Sequence, residues 1–145
     1  MRFLSAIDTS ASGMTAQRLR MDVIANNLAN VSTTRTSQGG PYRRQMVIFE
    51  ARVPQGRSFQ EVLAGELDSG AGVRVKEIRE DNSPFKRVYD PSHPDAGEDG
   101  YVSMPNVNVV SEMIDMISAT RAYEANVTCL NATKSMATKA LEIGR

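Results

Sequence analysis

MRFLSAIDTSASGMTAQRLRMDVIANNLAN, residues 1–30, contains one helix breaker, Gly13. Stepping through it by threes and fours gives Phe3, Ile7, Ser10, Met14, Gln17, Met21, Ile24, Leu28 and then Val31; seven of these nine are apolar. Spacing of this kind marks a helix that packs along its length against another helix. At 1.5 Å per residue the segment is about 45 Å long. A helix with one apolar stripe is marginal alone in water, so it needs a partner.

The other end of the chain offers one. Val109, Met113, Met116, Thr120, Tyr123, Val127, Leu130, Lys134, Ala137 and Leu141 repeat the spacing, and eight of the ten are apolar. Pro105 and Asn106 stop the preceding chain, Asn108 is a candidate N-cap, and Gly144 suits a helix end. Glu112 falls in the first turn, where a negative charge favours the helix dipole.

The middle changes period. STTRTSQGGP, residues 32–41, is a loop by composition. Val47, Phe49, Ala51 and Val53 alternate as in a half-buried strand, and GVRVKEI (72–78) reads as a second. Lys86–Asp90 and Tyr101–Met104 are short strand candidates, separated by the turn-rich DPSHPDAGEDG (90–100). The expected fold class is α+β: two long terminal helices paired as a coiled coil, with a small β-rich insert between them. The expected domains are a terminal helical domain of residues 1–31 and 106–145, a linker loop at 32–41, and a β-rich insert at 42–105 with a surface excursion at 54–72.

Leu4, Leu19 and Val23 lie off the first seam, and Val110, Ile114, Ile117 and Ile143 off the second. Both helices therefore carry apolar surface beyond what one partner covers, which points to a polymer. In IANNLANVST (24–33), Asn26, Asn27 and Asn30 either end the helix or bond across to a neighbouring helix and fix its register.

Composition narrows the function. At 145 residues the chain suits one modest domain or two segments that share the work. Hydrophobic content is 41% with no Trp, so a core must be built from aliphatics and Met. Net charge is zero, but residues 1–44 hold six basic against two acidic side chains, and residues 45–105 seven against eleven. No dense basic patch points to nucleic acid. The basic end of one subunit could instead meet the acidic middle of another. Cys129 is the only cysteine, which excludes an internal disulfide, and its place beside Val127 and Leu130 suggests a small buried side chain. No signal peptide is visible, and no apolar run reaches membrane-spanning length.

Catalysis finds little support. His93 is the only histidine and stands in a turn between Ser92 and Pro94. No nucleophile elbow, P-loop or dinucleotide fingerprint occurs. Asp90, His93, Asp95, Glu98 and Asp99 match neither an EF-hand nor a zinc spacing. The expectation is no catalytic residue, no metal and no cofactor. Two alternatives remain: a free-standing coiled-coil adaptor with a β head, and a metal-dependent enzyme using the 90–99 loop.

SAIDTSASGMTAQRLRMDVIANNLANVSTT (5–34) resembles the N-terminal signature of the flagellar rod and hook axial proteins. EMIDMISATRAYEANVTCLNATKSMATKALEIGR (112–145) is similar to the matching C-terminal motif, and the run 83–110 to the short basal-body rod members. The resemblance implies a structural subunit of the proximal rod, the drive shaft that crosses the periplasm and passes torque outward. It implies export through the flagellar type III apparatus without a cleaved signal. The implied partners are copies of itself, the other rod proteins, the export-gate adaptor at the rod base and the surrounding bushing rings, with no nucleic acid and no membrane insertion. The seam residues named above would then face neighbouring subunits in the helical layer.

Overall fold

A computed structural model describes residues 2–37, 39–52 and 72–143, and the side chains from Leu4 onward. Helix α1 spans Arg2–Ala29 and helix α2 spans Val109–Ile143. Asn108 caps α2. Its Oδ1 accepts from the backbone N–H of Val110 at 3.0 Å and Ser111 at 3.4 Å. Helix α1 ends where Asn30 turns to local bonding. Its Nδ2 donates to the Asn26 carbonyl at 2.9 Å, and its Oδ1 accepts from the Thr33 hydroxyl at 3.2 Å.

Among the described residues four strands lie between the helices: β1 (Gln45–Ala51), β2 (Val73–Glu80), β3 (Lys86–Tyr89) and β4 (Tyr101–Met104). They form two two-stranded sheets, β1 with β2 and β3 with β4. The Arg52 N–H donates to the Gly72 carbonyl at 2.9 Å and the Asp81 N–H to the Arg44 carbonyl at 2.7 Å. These bonds flank the first sheet at opposite ends and make it antiparallel. The second is antiparallel with Val88 opposite Val102 and Tyr89 opposite Tyr101. Val102 is buried, and Gly100 takes a positive φ of 72° to close the connection, a conformation that suits glycine.

The chain gathers into two compact units. The first combines Met1–Leu19, Ile48–Glu77 and Thr120–Arg145; the second combines Arg20–Val47 and Ile78–Ala119. In the first unit α1 and α2 approach at Gly13, where a Cβ would stand 3.1 Å from the Asn126 side chain. The Val73 N–H donates to Ser12 Oγ at 3.1 Å, and Asp8 pairs with Arg52 at 3.7 Å. In the second unit Arg20 meets Asp115 at 2.9 Å and Asn27 meets Glu112 at 2.9 Å. Numbers that rise along α1 while falling along α2 make the helices antiparallel there.

The predicted elements fall close to the observed ones, with two differences. Alternation in β1 is not expressed: every residue from Gln45 to Glu50 is half-buried and Ala51 is exposed. Val53 and residues 54–71 of the expected excursion lie outside the described residues. Cys129, expected to be buried, is exposed, because the inward stripe of α2 passes through Asn126, Leu130 and Thr133 instead. Among the described residues no helix is long and apolar enough to cross a membrane.

Candidate functional site

Among the described residues the two largest fully buried side chains are polar. Asn27 of α1 is 1% exposed and Glu112 of α2 is 0% exposed. Such burial is costly unless each polar atom finds a partner. Here each does. Asn27 Nδ2 donates to the Gln45 carbonyl at 2.8 Å and to Glu112 Oε2 at 2.9 Å. Asn27 Oδ1 accepts from the Gln45 N–H at 2.9 Å and the Tyr42 hydroxyl at 3.0 Å. Two donors and two acceptor lone pairs are the full capacity of an amide.

Glu112 Oε1 accepts from Arg44 Nε at 2.6 Å, a charge-assisted bond. Arg44 also lies 3.8 Å from Asp81 and 3.5 Å from Asp115. Its backbone N–H donates to Asn106 Oδ1 at 2.8 Å, and Asn106 Nδ2 donates to the Asp81 carbonyl at 3.0 Å. One arginine at the entry to β1 thus joins the end of β2, the cap region of α2 and, through Glu112 and Asn27, α1. Burial first, and then the negative charges of Glu112 and Glu80, push the Tyr42 hydroxyl above its ordinary pKa. The Ser83 hydroxyl and N–H, donating to Asp81 at 2.5 Å and 2.9 Å, hold that carboxyl below the usual range. The Asn27 amide and both Glu112 oxygens are committed to other atoms of the chain, so the node fastens elements together.

The three asparagines separate in role. Asn27 bonds across to α2 and β1, Asn30 ends α1, and Asn26 is exposed. Along the first seam Ile24 is buried, and Ile7, Met14, Met21 and Leu28 are half-buried; the Phe3 side chain lies outside the described residues. Along the second, Met116, Tyr123, Val127 and Leu130 are half-buried, while Val109, Met113 and Leu141 are exposed. The least exposed positions of α2 are Glu112, Ala119 and Thr133, with Met116, Tyr123, Leu130 and Ala137 between them. This stripe has the same spacing with a different edge. Apolarity alone selected the other edge, because Glu112 and Thr133 are polar. The signal that could have found Glu112 is its place on that repeat together with Ala119.

In the 90–100 loop, Asp90 accepts from the N–H and hydroxyl of Ser92, and Asp95 from the Thr34 hydroxyl at 2.7 Å. His93 Nδ1 accepts from the Asp95 N–H at 3.1 Å. No group of three metal-ligating side chains occurs among the described residues.

Two terminal helices fastened to small β-sheets, with large apolar side chains left open on both and most of them on α2, suit an assembly subunit. Comparison with known proteins gives the kind. The family description "Flagella basal body rod protein" matches residues 7–35, and "Flagellar basal body rod FlgEFG protein C-terminal" matches residues 98–143. The chain is similar to the flagellar basal-body rod protein FlgC of Borreliella burgdorferi, at 54% identity over 99% of this chain and 98% of the relative. It is 51% identical to that of Bacillus subtilis over 97% of each chain, and 40% identical to that of Escherichia coli O157:H7 over 100% of each. The chain belongs to the FlgC family of flagellar basal-body rod proteins and is a structural subunit of the bacterial basal-body rod.

Proposed function

We propose that the chain polymerises through its terminal helices, residues 1–31 and 106–145, into the proximal part of the rod, with the insert 42–105 outside the helical layer. One observation carries this reading. Val110, Met113, Ile114 and Ile117 form an exposed i, i+3, i+4, i+7 row on α2, with Ile114 63% exposed. A row of that kind on a helix already held at Glu112 fits a second helix better than it fits water. Neighbours of the same kind, copies of this chain or other rod proteins, would cover it. Repeated by rotation and rise, such a heterologous contact builds a tube. Torque transmission across the periplasm then follows from stiffness and needs no active site. The export-gate adaptor at the base and the bushing rings around the shaft are the remaining proposed partners. Export by the flagellar type III apparatus as an extended chain suits helices that gain cover only on assembly.

The test is the double substitution Ile114→Asp and Ile117→Asp in a motile strain. Both side chains are exposed, so the purified variant should keep its circular dichroism spectrum. It should be absent from isolated basal bodies, and swimming should be lost. Wild-type incorporation would overturn the role given to this row.

A further inference from the structure

A second surface in the structure is unrelated to the apolar row. The loop between α1 and β1 folds back on itself: the Tyr42 N–H donates to the Thr33 carbonyl at 3.0 Å, and the Thr36 N–H to the Gly40 carbonyl at 2.9 Å. Between this loop and the β3–β4 sheet lies an open groove of about 520 Å³, lined by Thr34, Arg35, Arg87, Asp95, Tyr101 and Ser103 among others. That volume lies within the ordinary range for ligand clefts and admits a few residues of chain.

The lining of the groove carries two arginines, Arg35 and Arg87, and one carboxylate, Asp95. That carboxylate already accepts from the Thr34 hydroxyl at 2.7 Å. Arg35 stands 4.0 Å from Asp95, and Arg87 3.9 Å from Asp99. Both distances exceed those of a charge-assisted hydrogen bond. Both are exposed ion pairs, with the arginine side chains 81% and 64% exposed, and pairs of that kind hold weakly, so another carboxylate can compete for either guanidinium. The Arg87 guanidinium lies 5.0 Å from the centre of the Tyr101 ring, and Tyr89 meets that ring edge-on at 5.2 Å. Arginine and tyrosine are among the side chains enriched at the energetic centres of protein recognition sites. Pro41, Ala96 and Gly97 keep the remaining walls low, which leaves room for a main chain to approach.

We propose that this groove binds an acidic segment of a partner protein, with Arg35 and Arg87 each taking a carboxylate and Tyr101 packing against the chain between them. The inference is independent of the helical polymerisation contact and stands or falls without it.

The test uses the full chain and a fluorescein-labelled ten-residue peptide alternating aspartate and serine, read by fluorescence polarisation at low salt. A lysine–serine peptide is the control. The expected result is saturable binding of the acidic peptide alone, weakened at least tenfold by the pair Arg35→Gln and Arg87→Gln. Arg18→Gln, which removes an exposed arginine of α1 that does not line the groove, should leave binding unchanged. If the double variant misfolds, Arg35→Gln alone carries the test, with a loss of at least threefold. Equal binding by wild type and variants overturns the proposal. So does full displacement of the peptide by inorganic phosphate at equal concentration, which would make the site a simple anion site. Dimerisation of the wild type that the double variant lacks, with no peptide binding, would assign the groove to a second copy and also overturn it.

Discussion

The two compact units hold the same pair of helices by opposite means. In the second, Asn27, Glu112 and Arg44 build a buried lattice in which charge meets charge and every amide atom is used. In the first, contact depends on what is missing: Gly13 has no side chain to keep Asn126 away, and Ser12 offers one hydroxyl to the start of β2. A polar lattice specifies one arrangement, because any other leaves buried charge unpaired. Small residues permit close approach without dictating it. The helix ends follow the contrast, since the first turn of α2 holds Glu112 with no exposure and the helix finishes at Ile143, which is 85% exposed.

The contrast breaks most severely at Glu112. Glu112→Ala removes the acceptor of Arg44 Nε and leaves one buried Asn27 donor without a partner, and should cost about 3 kcal/mol, read by urea denaturation. A loss under 1 kcal/mol would mean that water already satisfies the node. Gly13→Val probes the other side. Its first carbon would sit 3.1 Å from an Asn126 side chain that is tied to the Ala122 carbonyl at 2.8 Å and cannot easily swing away. Overpacking of this kind costs about 1–3 kcal/mol. Should Gly13→Val be tolerated, close approach is not what joins the helices in the first unit.

The smallest effect sharpens the comparison by pH. The Tyr42 pKa is raised in the folded chain, so the neutral phenol contributes stability that is fully present below about pH 10 and is lost as pH rises through the folded value. Tyr42→Phe removes the hydrogen bond to Asn27, costing about 1 kcal/mol at neutral pH. Its denaturation midpoint should also fall less steeply above pH 10 than that of wild type. Parallel alkaline profiles would show that Tyr42 plays no part in the node.

Much of this was legible in the residues. Spacing located both helices, Asn108 announced the start of α2, and Tyr101–Met104 was found to the residue. What spacing could not supply was the choice of face. Apolar periodicity favours Met113 over Glu112, yet the chain buries the carboxylate and exposes the thioether. The deciding term is pairing with Arg44 and Asn27, which lie 68 and 85 residues away in sequence and leave no trace in a local window. Cys129 was misplaced for the same reason. A small apolar residue is free to lie on either side of a helix, and only the partner's shape decides.

Asn27 carries one more consequence. Suppose α1 packs one turn out of step. The residue then presented at the node is Val23 or Val31, and neither has a polar side-chain atom. The Gln45 N–H and carbonyl, the Tyr42 hydroxyl and the Glu112 carboxylate would all lose their bonds together. A misalignment by one turn therefore costs all the Asn27 bonds at once.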